Sequence, residues 1–230
     1  MRRISIIIVL TLFSAALWGQ LEKGTYSIQP KLGLNIATLD SYTHQVDTRN
    51  PDGSTAPRYS VLFSIEAEHQ FCTKTAIVLG IQYSMQGQCE SFSTNRAKIK
   101  ATDKLDYINI PILAKFYVAK NLSLKVGLQP AFNVRHDYEL DTAVSISYWA
   151  GGEQYDLPQK GSLSDIGIKI KPFDLAIPIG IAYEIEHGMN KRLVAEARWN
   201  FGLLKVANME DGSDPKNGVF QLSLGYMFNL

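Results

Sequence analysis

The sequence predicts an all-β protein, an eight-stranded antiparallel up-and-down transmembrane β-barrel over residues 20–230, preceded by a cleaved export signal over residues 1–19. Three observations predict it. Apolar residues recur at every second position in eight segments, the stretches between segments alternate short and long, and aromatic residues gather near both ends of the segments. Composition alone points elsewhere, because 46% hydrophobic and 20% charged residues describe an ordinary globular chain. The 23 basic and 22 acidic residues leave no basic excess to attract nucleic acid, and two cysteines are too few for a disulfide scaffold.

The first element is the leader. Met1-Arg2-Arg3 precedes an apolar run from Ile4 to Leu12, and Ser14, Ala15, Ala16 and Gly19 supply small residues for cleavage after Ala16 or Gly19. Residues 4–18 are too short for a spanning helix, and no second apolar run follows. No cysteine lies near the cleavage region, which argues against a lipoprotein anchor.

The eight segments follow in order. Residues 26–37 set Tyr26, Ile28, Leu32, Leu34 and Ile36 against Ser27, Gln29, Lys31, Gly33 and Asn35. Residues 59–70 set Tyr59, Val61, Phe63, Ile65 and Ala67 against Ser60, Ser64, Glu66 and Glu68, and residues 75–87 set Ile77, Leu79, Ile81, Tyr83 and Met85 against Gly80, Gln82, Ser84 and Gln86. In residues 105–117, Ile108, Ile110, Ile112, Ala114 and Phe116 oppose Tyr107, Asn109, Pro111 and Lys115. The same period runs through residues 122–135, 173–185, 192–204 and 220–230, where Lys125, Asp174, Glu184, Arg192, Glu196 and Arg198 stand on the polar face. Segments of this length suit strands tilted across a bilayer, which need ~9–11 residues, better than the ~5–6 of soluble sheets.

The predicted connections are short at 71–74, 118–121 and 186–191, and long at 38–58, 88–104, 136–172 and 205–219. Outer-membrane barrels have short periplasmic turns and longer external loops, so both termini fall on the periplasmic side. Tyr59, Tyr83, Phe132, Phe173, Trp199 and Phe220 form an outer aromatic belt, and Tyr26, Phe116, Tyr183, Tyr226 and Phe228 an inner one. The ten residues from Phe173 to Tyr183 span ~25 Å along the membrane normal once tilt is allowed for, the height of the apolar band of such barrels.

A charge facing mid-membrane lipid costs roughly 2–4 kcal/mol. Lys31, Glu66, Glu68, Lys115, Lys125, Asp174, Glu184, Glu196 and Arg198 are therefore expected to face the lumen as a mixed-charge network. An eight-stranded barrel is just wide enough for side chains to fill, so that network reads as a structural plug with no open channel.

Little in the sequence suggests catalysis, a cofactor or a metal. Cys72 and Cys89 are separated by ~55 Å of strand, far beyond disulfide reach. The four histidines, His44, His69, His136 and His187, lack metal-ligand spacing. Asp40, Ser41, His44 and Asp47, with His136 and Asp137, supply residue types for a surface hydrolase but no nucleophile motif. In the third external loop, Tyr148, Trp149 and Tyr155 around Gly151 and Gly152 form the candidate contact surface; folding back over the barrel mouth is the other reading of that loop.

The segments Lys31-Leu32-Gly33-Leu34-Asn35, Gly80-Ile81-Gln82-Tyr83-Ser84, Leu105-Asp106-Tyr107-Ile108-Asn109-Ile110-Pro111-Ile112-Leu113-Ala114-Lys115, Gly127-Leu128-Gln129-Pro130 and Leu224-Gly225-Tyr226-Met227-Phe228 carry a further signal. Through them the mature chain resembles the PorT-like outer-membrane β-barrel family, small barrels often called the porin family. The resemblance implies the fold, a place in the outer membrane and, for the named member, export of surface proteins through the type IX secretion pathway. Pro111 within the fourth segment predicts a bulge or an unpaired amide. The expected function is a non-enzymatic structural or interaction barrel with protein partners in a secretion machinery; small-solute transport or ligand binding is the alternative, and a soluble lipocalin-like barrel the third.

Overall fold

The computed structural model describes residues 23–40, 54–93, 98–142, 146–150, 153–166, 168–188, 190–208 and 215–230. The predicted signal peptide lies outside them. Eight staves form the wall: β1 (Tyr26–Asp40), β2 (Ser54–Cys72), β3 (Thr75–Ser93), β4 in two pieces (Lys98–Asn109 and Ile112–Tyr117), β5 (Leu122–Thr142), β6 (Phe173–Glu186), β7 (Lys191–Gly202) and β8 (Lys216–Asn229). Each pairs antiparallel with its neighbours in sequence. β8 then pairs with β1, from Ser27 opposite Asn229 to Asp40 opposite Lys216, and the ring closes. Closure matters because hydrocarbon offers no partner to an unpaired N–H or C=O, so a sheet crossing it can have no edge.

Burial follows the period of two, inverted relative to a soluble protein. Leu34, Ile65 and Ile81 are each about 60% exposed on the outer wall, while Asn35, Glu66 and Gln82 beside them are at most 2% exposed within. A soluble barrel with its apolar face inward is thereby excluded.

The staves run further than the alternation predicts. β2 and β3 each span 19 residues and β5 spans 21, and their outer ends carry polar side chains on both faces. Above the membrane there is no lipid for one face to match, so the apolar signal stops while backbone pairing continues. This corrects the second external loop: residues 88–104 are mostly strand, with only 94–97 between β3 and β4, so the strict alternation of short turns and long loops fails there. The stretch 136–172 likewise holds the end of β5, the hairpin Ile146–Ala150 with Glu153–Leu157, the strand Lys160–Ser162 against β5, and a 3-10 turn at Leu163–Ile166.

Pro111 interrupts β4 without a bulge. The register with β5 is the same on both sides, from Asn109 opposite Ala131 to Ile112 opposite Leu128, and the Gly80 N–H still donates to the Pro111 carbonyl at 3.0 Å. Besides a shift between Gln70 and Cys72 at the periplasmic turn, irregularities lie higher, where β2 gains a residue on β3 between Pro57 and Leu62 and β5 gains one on β4 at Val134. Gly87 lies opposite the Pro57–Leu62 irregularity with φ +121°, a conformation side chains rarely tolerate.

The outer mouth is covered from above. The 3-10 turn places Leu163 against Leu105, Tyr107, Ala131, Tyr138 and Val206, all at most 5% exposed. A two-residue ladder between Lys169–Ile170 and Ala207–Asn208 joins the third and fourth external connections across this small apolar core.

Two expectations follow. A Cβ at Gly127 would collide with the Ile112 carbonyl oxygen, so Gly127→Ala should lower the unfolding free energy of the liposome-embedded barrel by about 1–3 kcal/mol, read in a urea titration by loss of the heat-sensitive band on unheated gels. Glu90 and Asp103 are buried beneath the cap beyond the outer belt, and desolvation raises them to about 8 and about 6, Asp103 adding repulsion to Glu90. Carboxyls raised on folding stabilise the cap below the ordinary carboxylate range and lose that contribution as pH rises through 6 to 8. Amide exchange of residues 98–104, corrected for intrinsic rate, should therefore accelerate between pH 5 and 9, and Glu90→Gln should flatten the dependence.

Candidate functional site: the luminal network

Every second residue of each stave points into a bore too narrow for water-separated ions, so charges there must meet one another. They meet in two tiers. In the middle tier, Lys31 Nζ lies 2.5 Å from Glu66 and 3.0 Å from Glu196. Lys125 Nζ lies 2.7 Å from Glu196 and 3.4 Å from Glu66. Arg198 donates to Glu66 at 2.8 Å through Nη2 and to Glu196 through Nε at 2.6 Å. Three cations thus share two carboxylates, the five side chains coming from β1, β2, β5 and β7, and β1 and β5 are opposite walls.

Nearer the periplasmic end, Lys115 Nζ donates to both oxygens of Glu68 at 2.8 and 2.7 Å and pairs with Glu184. Arg192 Nη1 and the Tyr117 hydroxyl also donate to Glu184, at 2.9 and 3.0 Å, and the Lys115 ammonium lies 4.6 Å from the centre of the Tyr117 ring. Toward the outer mouth, neutral amides take over. Asn109 donates to Gln82, Gln82 to Gln221, Gln221 to Asn35, and Asn35 to Ser84, over 3.0–3.4 Å.

Eight of the nine luminal residues named from the sequence fall in these tiers. Asp174 does not, for it accepts from Asn217 at 2.8 Å and from the Leu175 amide, close to the cap. Arg192 and Tyr117 were missed, although Arg192 is on the polar parity of its segment and Tyr117 on that of β4. His136 and Asp137, grouped as catalytic candidates, are adjacent strand residues facing opposite sides: His136 turns to Asn133 at 3.1 Å, and Asp137 accepts from Arg135 at 2.6 Å. Ser41, His44 and Asp47 lie outside the described residues. Tyr148 and Tyr155 are cross-strand partners in the external hairpin, and Trp149 is paired with Gln154; their side chains are outside the described set. Cys72 and Cys89, at opposite ends of the wall, are both free.

Removing one carboxylate from the middle tier leaves three buried cations around the other. Glu66→Gln should destabilise the barrel by about 3–5 kcal/mol in urea titrations, the cost typical of a broken buried pair. Lys120→Gln in a periplasmic turn should leave the midpoint unchanged.

The chain is similar in fold to small barrels of bacterial outer membranes. It aligns with OprG of Pseudomonas aeruginosa at 8% identity over 92% of this chain and 98% of that one, with a TM-score of 0.49. AlkL in lipid bilayers aligns at 13% identity over 94% of both chains with a TM-score of 0.46. Ail of Yersinia pestis, solved with a heparin analogue, aligns at 12% identity over 90% and 100% with a TM-score of 0.42. No curated protein sequence matches it. The profile of one family matches residues 18–208, most of the chain and most of the wall, and this assigns the protein to the outer membrane. The chain belongs to the outer membrane protein beta-barrel domain family.

Proposed function

We propose that this protein is a closed, non-enzymatic barrel that works by contact, holding an external platform on the cell surface and assisting the export of surface proteins. The observation that supports it most is the middle tier, where Lys31, Lys125 and Arg198 meet Glu66 and Glu196 across the bore with every side chain at most 3% exposed. Five interlocked side chains at one level occupy the volume a solute would need, and separating them would strand buried charges.

What the barrel offers instead lies outside the membrane. The outer ends of β2 to β5, with Lys160–Ser162 paired to β5, form a raised sheet, and the hairpin of Ile146–Ala150 with Glu153–Leu157 follows β5 in the chain. Hydrogen-bonded strands carried beyond a membrane-anchored ring suit protein partners better than permeation. The PorT-like segments, above all Leu105 to Lys115, support a secretion role in particular. Tyr148, Trp149 and Tyr155 are the residues proposed for the contact.

The test is a comparison of exported and surface-attached proteins between the parent strain and a clean deletion. Cargo should vanish from the surface and accumulate in the periplasm. An unchanged set of exported proteins would remove the secretion role.

A further inference from the structure

The luminal network leaves one feature of the fourth stave without a role. Asp106 has the same parity as lipid-facing Ile108, yet its carboxylate is 0% exposed. It accepts a hydrogen bond from the Tyr83 hydroxyl at 2.8 Å. Arg58 Nη1 lies 3.8 Å from one of its oxygens and Arg135 Nη1 3.7 Å from the other.

Both arginines reach it through the irregularities of the wall. Arg58 directly follows Pro57, where β2 shifts against β3, and Arg135 follows Val134, the extra residue of β5 against β4. A bulge re-aims a side chain, and here two of them turn guanidiniums toward one carboxylate. The place is one ladder step above the row Phe63–Tyr83–Ile108–Phe132, the outer aromatic belt, so the cluster stands at the height of the outer leaflet's headgroups. Among the described residues the other arginines, Arg192 and Arg198, are in the lumen.

From this geometry we infer that Arg58 and Arg135, spaced by Asp106, form a binding site on the outer wall for a phosphate group on an outer-leaflet lipid. The carboxylate distances exceed hydrogen-bond length, so Asp106 holds the guanidiniums by charge and leaves N–H donors for another acceptor. Arg58 gives one donor to the Gln86 carbonyl, and Arg135 gives its Nε to Asp137. Planar guanidiniums match phosphate oxygens two at a time, which a lysine does not. Just above, Lys104 and Lys160 share Glu139, so this ion-paired cluster holds four cations against three carboxylates. A lipid phosphate arriving from the side supplies the missing charge without leaving the headgroup layer. The inference rests on family and orientation, and is independent of the role in export.

Folded barrel would be placed in phosphatidylcholine nanodiscs containing lipid A with both phosphates, or the same lipid with its phosphates removed, and retained lipid counted by native mass spectrometry. The wild type should retain the phosphorylated lipid at least about tenfold better, as expected for losing one or two charge-assisted hydrogen bonds. R58Q/R135Q, scored only if its gel mobility still shifts on heating, should lose that preference. Equal retention of the two lipids by the wild type, which needs no variant to fold, overturns the proposal. Displacement of the lipid by equimolar inorganic pyrophosphate would assign the site to a soluble phosphate and overturn it as well.

Discussion

The pairing of β8 with β1 is the constraint on which the rest depends. A sheet in hydrocarbon must leave no backbone group unpaired, and eight staves closing on themselves satisfy that condition. Closure then dictates two populations of side chains. One faces lipid and must be apolar; the other faces a bore so narrow that its members touch. Polar inward residues are not a choice among many, for a second apolar face would make the strands indistinguishable from inside and outside and leave register unspecified.

Within the bore, the ion pairs are cross-braces more than a source of net stability. Burying Lys31, Lys125 and Arg198 removes their hydration, and two shared carboxylates offset that loss only with every contact in place. Such a network penalises wrong register strongly. A one-residue slip of β1 would turn Lys31 to the lipid and leave Glu196 short of a partner. Specificity of assembly follows from the same contacts that close the bore.

Most of the ring was legible from the sequence because lipid on one side and a packed lumen on the other impose the period of two on every spanning residue. Tyr26 to Ile36 and Phe220 to Leu230 show it in the staves that close the barrel. Legibility ended where the membrane ended. Gln88 to Ser93 and Lys98 to Lys104 read as loop because water meets both faces, although their ladder continues to the last described residue of each strand. The cap was open to either reading for a different reason: Leu163 meets Leu105 and Val206 only through tertiary folding, and no local pattern announces it. Asp106 was the readable exception that went unused. A carboxylate at a lipid-facing parity contradicts the pattern, and its partners Arg58 and Arg135 are the residues at which that pattern is locally shifted.

The closed bore is the central claim, and single-channel recording tests it most directly. Refolded barrel inserted into planar bilayers in concentrated potassium chloride should give no current steps above the background of the empty bilayer. Stable ohmic steps that appear with the folded protein, and vanish after it is unfolded by heat, would mean that ions pass the middle tier and would contradict the account.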